Sequence, residues 1–449
     1  MQCQLPESFY LPARVIVADR KIDCTHLLGQ FLDASHYDVL VEEDCDAYGP
    51  PGMTDEGLSE DRVLFKFRKG FFSQKEQNDA FDGLFGAAHK SHNRGIAAGL
   101  HTDDSIMNIV TPYQYEVFDA LSTTSALHPI PDLVDEIREK YARNPDRNVS
   151  QELRQDAWLK TRVDAEKFDF EAWVDRAKFL GASERMQELR RVQSTLISST
   201  VYAMEVHSGV VGFYDRYPRI PYCREVSYSR DYPDRVRLAS AFLEKLNCGF
   251  HELLPQRWGA QKAACDRIDS RFVLPNTVFT TLTVNKTFRT AAHLDAGDYG
   301  PGFSNLCVIS DGKKFSGGYL VFPEYRVAVN VRPGDLLLVA NHTVIHGNTP
   351  IMLDDPEASR ISVVAYFREG LLAGGSKEYE DARRDFVTSR KENRDHSLWR
   401  PFWNGVSPGM WESDEWYTYL RKKPEGEAML QQYHPEISAS SSSIEEFFA

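Results

Sequence analysis

Between residues 278 and 367 the chain alternates short apolar runs with polar punctuation. The runs are Val278–Val284, Asn305–Ser310, Gly317–Phe322, Val327–Val331, Leu336–Ala340 and Ile361–Phe367, with Arg332-Pro-Gly-Asp335 as a turn between two of them. Strand-length runs separated by Gly, Pro and Asp turns predict an antiparallel barrel or sandwich. Elsewhere the pattern is helical. Ser73-Gln-Lys-Glu76 has the form of a capping box, and a helix over about 74–90 would place Phe81, Leu84, Phe85 and Ala88 on one face. Residues 131–200 are charged and helix-forming, their charges read as a solvated face, and Arg237–Leu253 reads as a further helix. Arg14–Ala18 and Phe65–Lys69 read as strands, with an acidic loop or linker from Glu42 to Glu60 between them. The Ser-rich acidic end, 438–449, is expected to be disordered.

Composition narrows this picture. The chain has 449 residues, enough for one β core with helical additions or for two domains. Its seven cysteines are scattered and include no CxxC pair, so neither a disulfide framework nor a zinc knuckle is indicated. The N-terminus lacks a basic segment followed by an apolar one, and no apolar run approaches membrane-spanning length. These features predict a soluble intracellular protein, nuclear in a eukaryote, without membrane attachment or an obvious protein partner. A net charge of −14 argues against broad adhesion to nucleic acid but leaves room for a local basic groove.

Candidate chemistry lies at the ends of the predicted strands. His293 and Asp295 form an HxD pair, His346 follows about fifty residues later in His-Gly-Asn-Thr-Pro, and Arg360 opens a β-patterned segment. Two imidazoles and a carboxylate on one face of Fe(II) leave positions for a bidentate cosubstrate and O2. Residues two apart in extended backbone point to the same side, which suits HxD. Arg360 could hold an acidic cosubstrate through its planar guanidinium. His342 competes with His346 for the third ligand, and Gly347-Asn348, where the backbone can turn away, favours His346. A bare HxD is as consistent with a surface turn; its strand context makes it a site.

A second stretch interleaves aromatics and arginines: Tyr214, Arg216, Tyr217, Arg219, Tyr222, Arg224, Tyr228, Arg230, Tyr232, Arg235 and Arg237. Phosphate contacts combined with base stacking use this mixture. The competing reading is a loop packed on the barrel, its arginines paired with the nearby Asp215, Glu225, Asp231 and Asp234.

The runs Thr283–Asp298, Gly317–Pro323, Arg332–Asp335, His346–Pro350 and Arg360–Val364 together resemble the TET/JBP family of nucleic-acid-modifying Fe(II) dioxygenases. The likeness is nearer to the kinetoplastid thymine hydroxylases, the phage members and the algal 5-methylcytosine-modifying enzyme than to the animal TET proteins. It is strongest over about 272–370; Asn93–Gly99 and Tyr214–Tyr228 also look like pieces recurring in the phage and algal group. The resemblance implies an α+β fold with a double-stranded β-helix (jelly-roll, cupin-like) core and helical elaborations. It implies an N-terminal extension over 1–60, a dioxygenase domain over 61–370 with a helical insertion at about 131–200, and a C-terminal extension over 371–449. By resemblance, His293, Asp295 and His346 hold iron and Arg360 holds the far carboxylate of 2-oxoglutarate. Asp298 matches a family Asp beside the target base, with a turn-stabilising role as its alternative. Asn285 could line the cosubstrate pocket or make a structural hydrogen bond. The implied reaction is oxidation of the 5-methyl group of 5-methylcytosine in DNA by Fe(II), 2-oxoglutarate and O2, with the base flipped into the pocket. Arg216, Arg219, Tyr222, Arg224 and Tyr228 then become candidate DNA contacts. The algal branch uses L-ascorbate to transfer a glyceryl unit to 5-methylcytosine, and thymine hydroxylation is a further alternative; a non-catalytic reader of methylated DNA fits less well.

Overall fold

The computed structural model describes residues 5–51, 58–91, 94–99, 108–109, 112–122, 129–143, 162–163, 170–181, 184–185, 197–198, 206–216, 220–295, 297–393 and 408–437. The chain divides into two units, one of residues 1–100, 202–215 and 223–374, the other of residues 101–201, 216–222 and 375–449.

The first unit is built on two sheets. In the larger, neighbours run Arg14–Val17, Cys45–Tyr48, Val63–Arg68, Leu336–Val339, Ser304–Ser310, Arg360–Tyr366, Thr281–Lys286, Val206–Tyr214 and Arg224–Glu225. In the smaller they run Gly347–Asn348, Leu320–Phe322, Val327–Val329 and Val39–Val41. A ribbon of Phe315–Gly317 and Ile351–Leu353 completes the jelly roll. Successive strands of the core pair antiparallel across the two sheets, as in the double-stranded β-helix that the resemblance implies.

Both faces of the large sheet are covered, so its strands read as continuous apolar runs. Leu336, Leu338, Cys307, Ile309, Leu282, Val284, Ile361 and Val363 face a core shared with Phe242, Leu246 and Phe250 of helix Ser240–Leu253. Leu337, Val339, Leu306, Val308 and Val364 face the barrel interior, where Leu320, Phe322 and Val329 meet them. Helix Gln74–Leu84 starts at the predicted capping box, with Ser73 and Glu76 bonding each other's backbone, and buries Ala80 and Leu84. It stops short of residue 90: a 3-10 turn, Phe85–Ala87, leads into strand Lys90–Ser91. The predicted Arg237–Leu253 helix is two helices, Pro233–Leu238 and Ser240–Leu253, parted at Ala239. Strand Thr281–Lys286 begins later than the apolar run suggested, because Val278 and Phe279 belong to a turn in which Leu274 N–H donates to Phe279 O.

The N-terminal stretch is where expectation and structure part. Residues before 60, read as an extension, supply Arg14–Val17 and Cys45–Tyr48 to the large sheet and Val39–Val41 to the small one. Two of these pairings are parallel and join segments far apart in sequence, which local periodicity does not encode.

In the second unit, helices Pro112–Ser122, Ile130–Arg143 and Phe170–Ala177 bury Val117, Leu121, Val134, Trp173 and Val174. Their polar faces carry ion pairs such as Arg138 with Glu171 and Asp175. Helices Lys377–Asn393, Asp414–Arg421 and Gly426–Tyr433 pack around Tyr379, Phe386, Trp416, Leu420 and Leu430. Among the described residues no helix is long and apolar enough to cross a membrane. The tail expected to be disordered, 438–449, lies outside the described residues.

Candidate active site

His293 and His346 are brought together by the backbone itself. Each donates its N–H to the other's carbonyl, at 2.9 and 3.0 Å, an isolated antiparallel bridge inside the first unit. Directly opposed residues in such a bridge project to one side, and the two rings sit 4.3 Å apart between centroids. Each ring is fixed by a local hydrogen bond: His293 Nδ1 to Ala291 O at 2.8 Å and His346 Nδ1 to Val344 O at 2.9 Å. With Nδ1 donating, the neutral ring carries its lone pair on Nε2. Both Nε2 atoms face Asp295, at 3.3 Å from His293 and 3.8 Å from His346. Gly347 follows directly on His346, and a Cβ there would come 3.0 Å from the backbone of Ala291 and Ala292, so a larger residue would press the two segments apart.

These three residues are the group of described His, Cys, Asp or Glu side chains whose ligand atoms all lie within 4.8 Å of one another. Two imidazole nitrogens and a carboxylate oxygen with open space on one side suit Fe(II). His342 is not among them; it is exposed and packs beside Gly300. Asn341 donates from Nδ2 to Asp295 Oδ2 at 2.9 Å, and Asp295 N–H donates back to Asn341 O at 3.0 Å. The electrostatics match a pre-formed cation site. In the metal-free protein burial opposes the Asp295 charge, yet a hydrogen bond from His293, whose imidazole this carboxylate raises against the cost of burial, and the fields of the two imidazoles hold its carboxyl down at about 2. Burial and the neighbouring His293 push His346 down to about 4, so it is neutral and free to coordinate.

A cavity of about 390 Å³ opens beside this cluster. The strand alternation decides what lines it: Ser362, Val364 and Tyr366 from one strand, Thr283 and Asn285 from its partner. Asn285 is buried there, and its Oδ1 accepts from the Ser208 hydroxyl, leaving Nδ2 as the donor it can offer. Arg94–Ala97 also line the cavity, and Ala97 O accepts from Ala291 N–H, tying an N-terminal segment to the His293 loop. Asp298 is buried in the wall and accepts the Ser304 hydroxyl at 2.6 Å. Burial, and then the nearby Asp295 charge, raise its carboxyl well above the usual range.

Arg360 heads the same strand face as Ser362 and Val364, below the cavity lining. It is 3 % exposed, its Nε has no partner, and its guanidinium rests 5.6 Å from the Phe315 ring. Burial and the Arg332 charge lower it to about 10. A charged guanidinium left uncompensated in the interior is costly, so this position is suited to an anion.

The aromatic-arginine segment is disposed differently. Arg216 pairs with the fully buried Glu380 and lies over Tyr379. Arg230 pairs with Asp231 and Arg237 with Asp234. The Tyr228 hydroxyl donates to Gly83 O at 2.7 Å. Arg224 stacks on Tyr214 and reaches Asp215 O, and Arg368 lies over the same Tyr214 ring while pairing with Asp215. Tyr222 is half-buried, and Arg219 lies outside the described residues. Arg216 and Tyr228 each have an internal partner, Glu380 and Gly83 O respectively. Asn341, Ser304, Ser208 and the Arg94–Ala97 rim were not picked out as site residues from sequence. Only the last had a signal, the recurring Asn93–Gly99 piece.

Residues 210–369 match the Tet_JBP family model, described as the oxygenase domain of the 2OGFeDO superfamily. The chain is 32 % identical over 194 residues to the bifunctional helicase and thymine dioxygenase JBP2 of Leishmania braziliensis, covering 43 % of this chain and 17 % of that one. It is 38 % identical over 169 residues to the JBP2 of Trypanosoma cruzi, covering 37 % and 15 %, and 30 % identical over 205 residues to the thymine dioxygenase JBP1 of Trypanosoma brucei brucei, covering 44 % and 23 %. The chain thus spans less than a quarter of the length of these curated relatives. Among solved structures, NgTET1 in complex with 5mC DNA aligns at 18 % identity over 47 % of this chain and 75 % of that one, with a TM-score of 0.33. The matched family region takes in His293, Asp295, His346 and Arg360, and it supports the TET/JBP oxygenase resemblance over residues 210–369.

Proposed function

We propose that this protein is an Fe(II)- and 2-oxoglutarate-dependent dioxygenase that oxidises the 5-methyl group of a pyrimidine in DNA, with 5-methylcytosine as the leading substrate. The observation that carries the reading is the pre-formed His293–Asp295–His346 cluster on the wall of a cavity that also contains Asp298. The iron, when bound by the three side chains, would supply O2 activation coupled to breakdown of the cosubstrate. Every other part belongs to the chain. The Nδ1 hydrogen bonds of both histidines and the Asn341 amide fix the ligand atoms before metal arrives. Arg360 would neutralise the distal carboxylate of the cosubstrate, and Asn285 Nδ2 would donate toward it from the facing strand. Asp298, buried in the cavity wall with its carboxyl raised by burial, is placed to meet the edge of a base turned into the cavity. Oxidation of thymine is a second reading, favoured by the JBP relatives, whose names give thymine as their substrate.

The test is nucleoside mass spectrometry of DNA containing either 5-methylcytosine or only unmethylated bases, incubated with the protein, Fe(II) and 2-oxoglutarate. Hydroxymethylcytosine or its further oxidation products support the leading reading. Hydroxymethyluracil in both DNAs, with no oxidised 5-methylcytosine in the methylated one, transfers the proposal to thymine. No modified base in either DNA, with the protein loaded with iron, removes it.

A further inference from the structure

The lining of the cavity beside the metal cluster grades from buried to open. Asn285, Ser362 and His346 are buried, whereas Arg94 and Ile96 are partly exposed and Leu294, between the two ligands of the HxD pair, is 41 % exposed. Arg94 therefore stands where the cavity meets solvent. The segment that carries it is held in place at both ends. Gly95 takes a positive φ of 50° to enter the 3-10 turn Gly95–Ala98, Ala97 O in that turn accepts Ala291 N–H beside the His293 loop, and Arg94 Nη2 donates to Gly209 O at 3.0 Å.

Among the described residues two cations line this cavity, Arg94 and Arg368. Arg368 is paired with Asp215 and lies over the Tyr214 ring, so its charge is already met. Arg94 has the Gly209 carbonyl as its partner and no carboxylate, and none of its nitrogens is buried without a partner, so the rest of the guanidinium fork is accessible from the cavity mouth. A base turned into the cavity brings its sugar and phosphates with it, and these charged groups stay at the mouth because the interior is buried. In a chain of net charge −14, a strand can be gripped only by cations set at particular points. A guanidinium fixed by one corner, with its remaining N–H groups open, matches the paired oxygens of a phosphate. A cosubstrate that chelates the metal lies deeper, among the buried lining residues.

We propose that Arg94 holds a backbone phosphate of the nucleotide whose base enters the cavity. The proposal rests on the reading of the substrate as a DNA base given under Proposed function, and it goes further in naming the residue that grips the strand at the mouth.

The experiment measures binding of the full-length protein, loaded with Mn(II) and 2-oxoglutarate, to a 5-methylcytosine duplex by fluorescence anisotropy across a salt series. Wild type, Arg94→Gln and Arg94→Lys are compared, and calorimetry follows their affinity for Mn(II) and 2-oxoglutarate. Each neutralised phosphate contributes about 0.9 to the slope of log affinity against log salt, so Arg94→Gln is expected to flatten the slope by about one and to weaken DNA binding roughly tenfold at low salt. Metal and cosubstrate affinities should stay as in wild type. Arg94→Lys keeps the charge and should keep the slope. An unchanged slope in Arg94→Gln, an equal loss of slope in Arg94→Lys, or a loss confined to 2-oxoglutarate affinity overturns the proposal. A wild type that binds Mn(II) and 2-oxoglutarate but no DNA overturns the DNA reading of the cavity, and this inference with it.

Discussion

Two stretches of this chain carry the residues that chemistry needs, the His293–His346 loops and the Tyr214–Arg237 segment, and the structure treats them in opposite ways. At the first, every polar atom that could compete for the ligand nitrogens is tied to nearby backbone: Nδ1 of each histidine bonds a carbonyl two residues back, and Nε2 is left facing Asp295. At the second, Arg216 meets the buried Glu380, while Arg230 with Asp231 and Arg237 with Asp234 form ion pairs at the surface. Residue type alone does not separate a site from packing. What separates them is whether the local backbone consumes the side chain's competing valence or the side chain itself.

The comparison breaks first at the metal cluster. His293→Ala or Asp295→Ala removes one of three ligands, and base oxidation should fall below detection while the thermal melt of the metal-free protein stays close to wild type. A double variant that keeps its activity would mean that the cluster is not the site. The next largest effect is expected on folding. Arg216→Ala leaves the Glu380 carboxylate, which is inaccessible to solvent, without its cation, and should destabilise the protein by about 3–5 kcal/mol with little change in DNA affinity of the folded protein. Denaturant melts and DNA titrations of the same variant check this. Weakened DNA binding at unchanged stability would return Arg216 to the DNA surface.

How much of this was readable beforehand differs by region for physical reasons. Leu336–Val339 and Arg360–Tyr366 announced themselves because a sheet covered on both sides demands apolar residues on both faces. The HxD pair and its distal histidine were legible because their roles depend on spacing in nearly extended backbone, and the structure brings all three side chains together. Before residue 60 the strand Arg14–Val17 is legible, whereas Val39–Val41 is not, because its parallel pairing with Val327–Val329 spans hundreds of residues and leaves no local periodicity. The partner of Arg216 was missed for the same reason: the acids beside it in sequence, such as Asp215, were the visible candidates, while Glu380 lies 164 positions away. Asn341 carried no signal beyond being a polar residue at the end of an apolar strand.

Smaller effects sharpen the comparison. Arg360→Gln should raise the 2-oxoglutarate requirement by about one to two orders of magnitude at nearly unchanged metal affinity, which steady-state kinetics and metal titration separate. Asn341→Ala frees Asp295 from its fixing amide and should weaken Fe(II) or Mn(II) affinity by roughly 10–100-fold, read by competition with a chelator. Asp298 supplies the pH dependence. Its folded pKa is raised above the unfolded value, so the native state holds a proton that the unfolded chain has released. The contribution of this group to stability is therefore complete below the unfolded pKa and is lost as pH rises toward the folded one. Asp298→Asn mimics the protonated form, so metal-free Asp298→Asn should gain stability relative to wild type between pH 5 and pH 8. Denaturant melts at the two pH values that show a constant difference would mean that Asp298 is already ionised in the fold.

The central claim is that His293, Asp295 and His346 form an iron site serving a DNA base. It is tested most directly by mass spectrometry of nucleosides from 5-methylcytosine DNA treated with wild type and with the His293→Ala, Asp295→Ala double variant, each with Fe(II) and 2-oxoglutarate. Oxidised 5-methylcytosine with wild type and none with the variant is the predicted result. Equal amounts from both, or none from an iron-loaded wild type, would contradict the account.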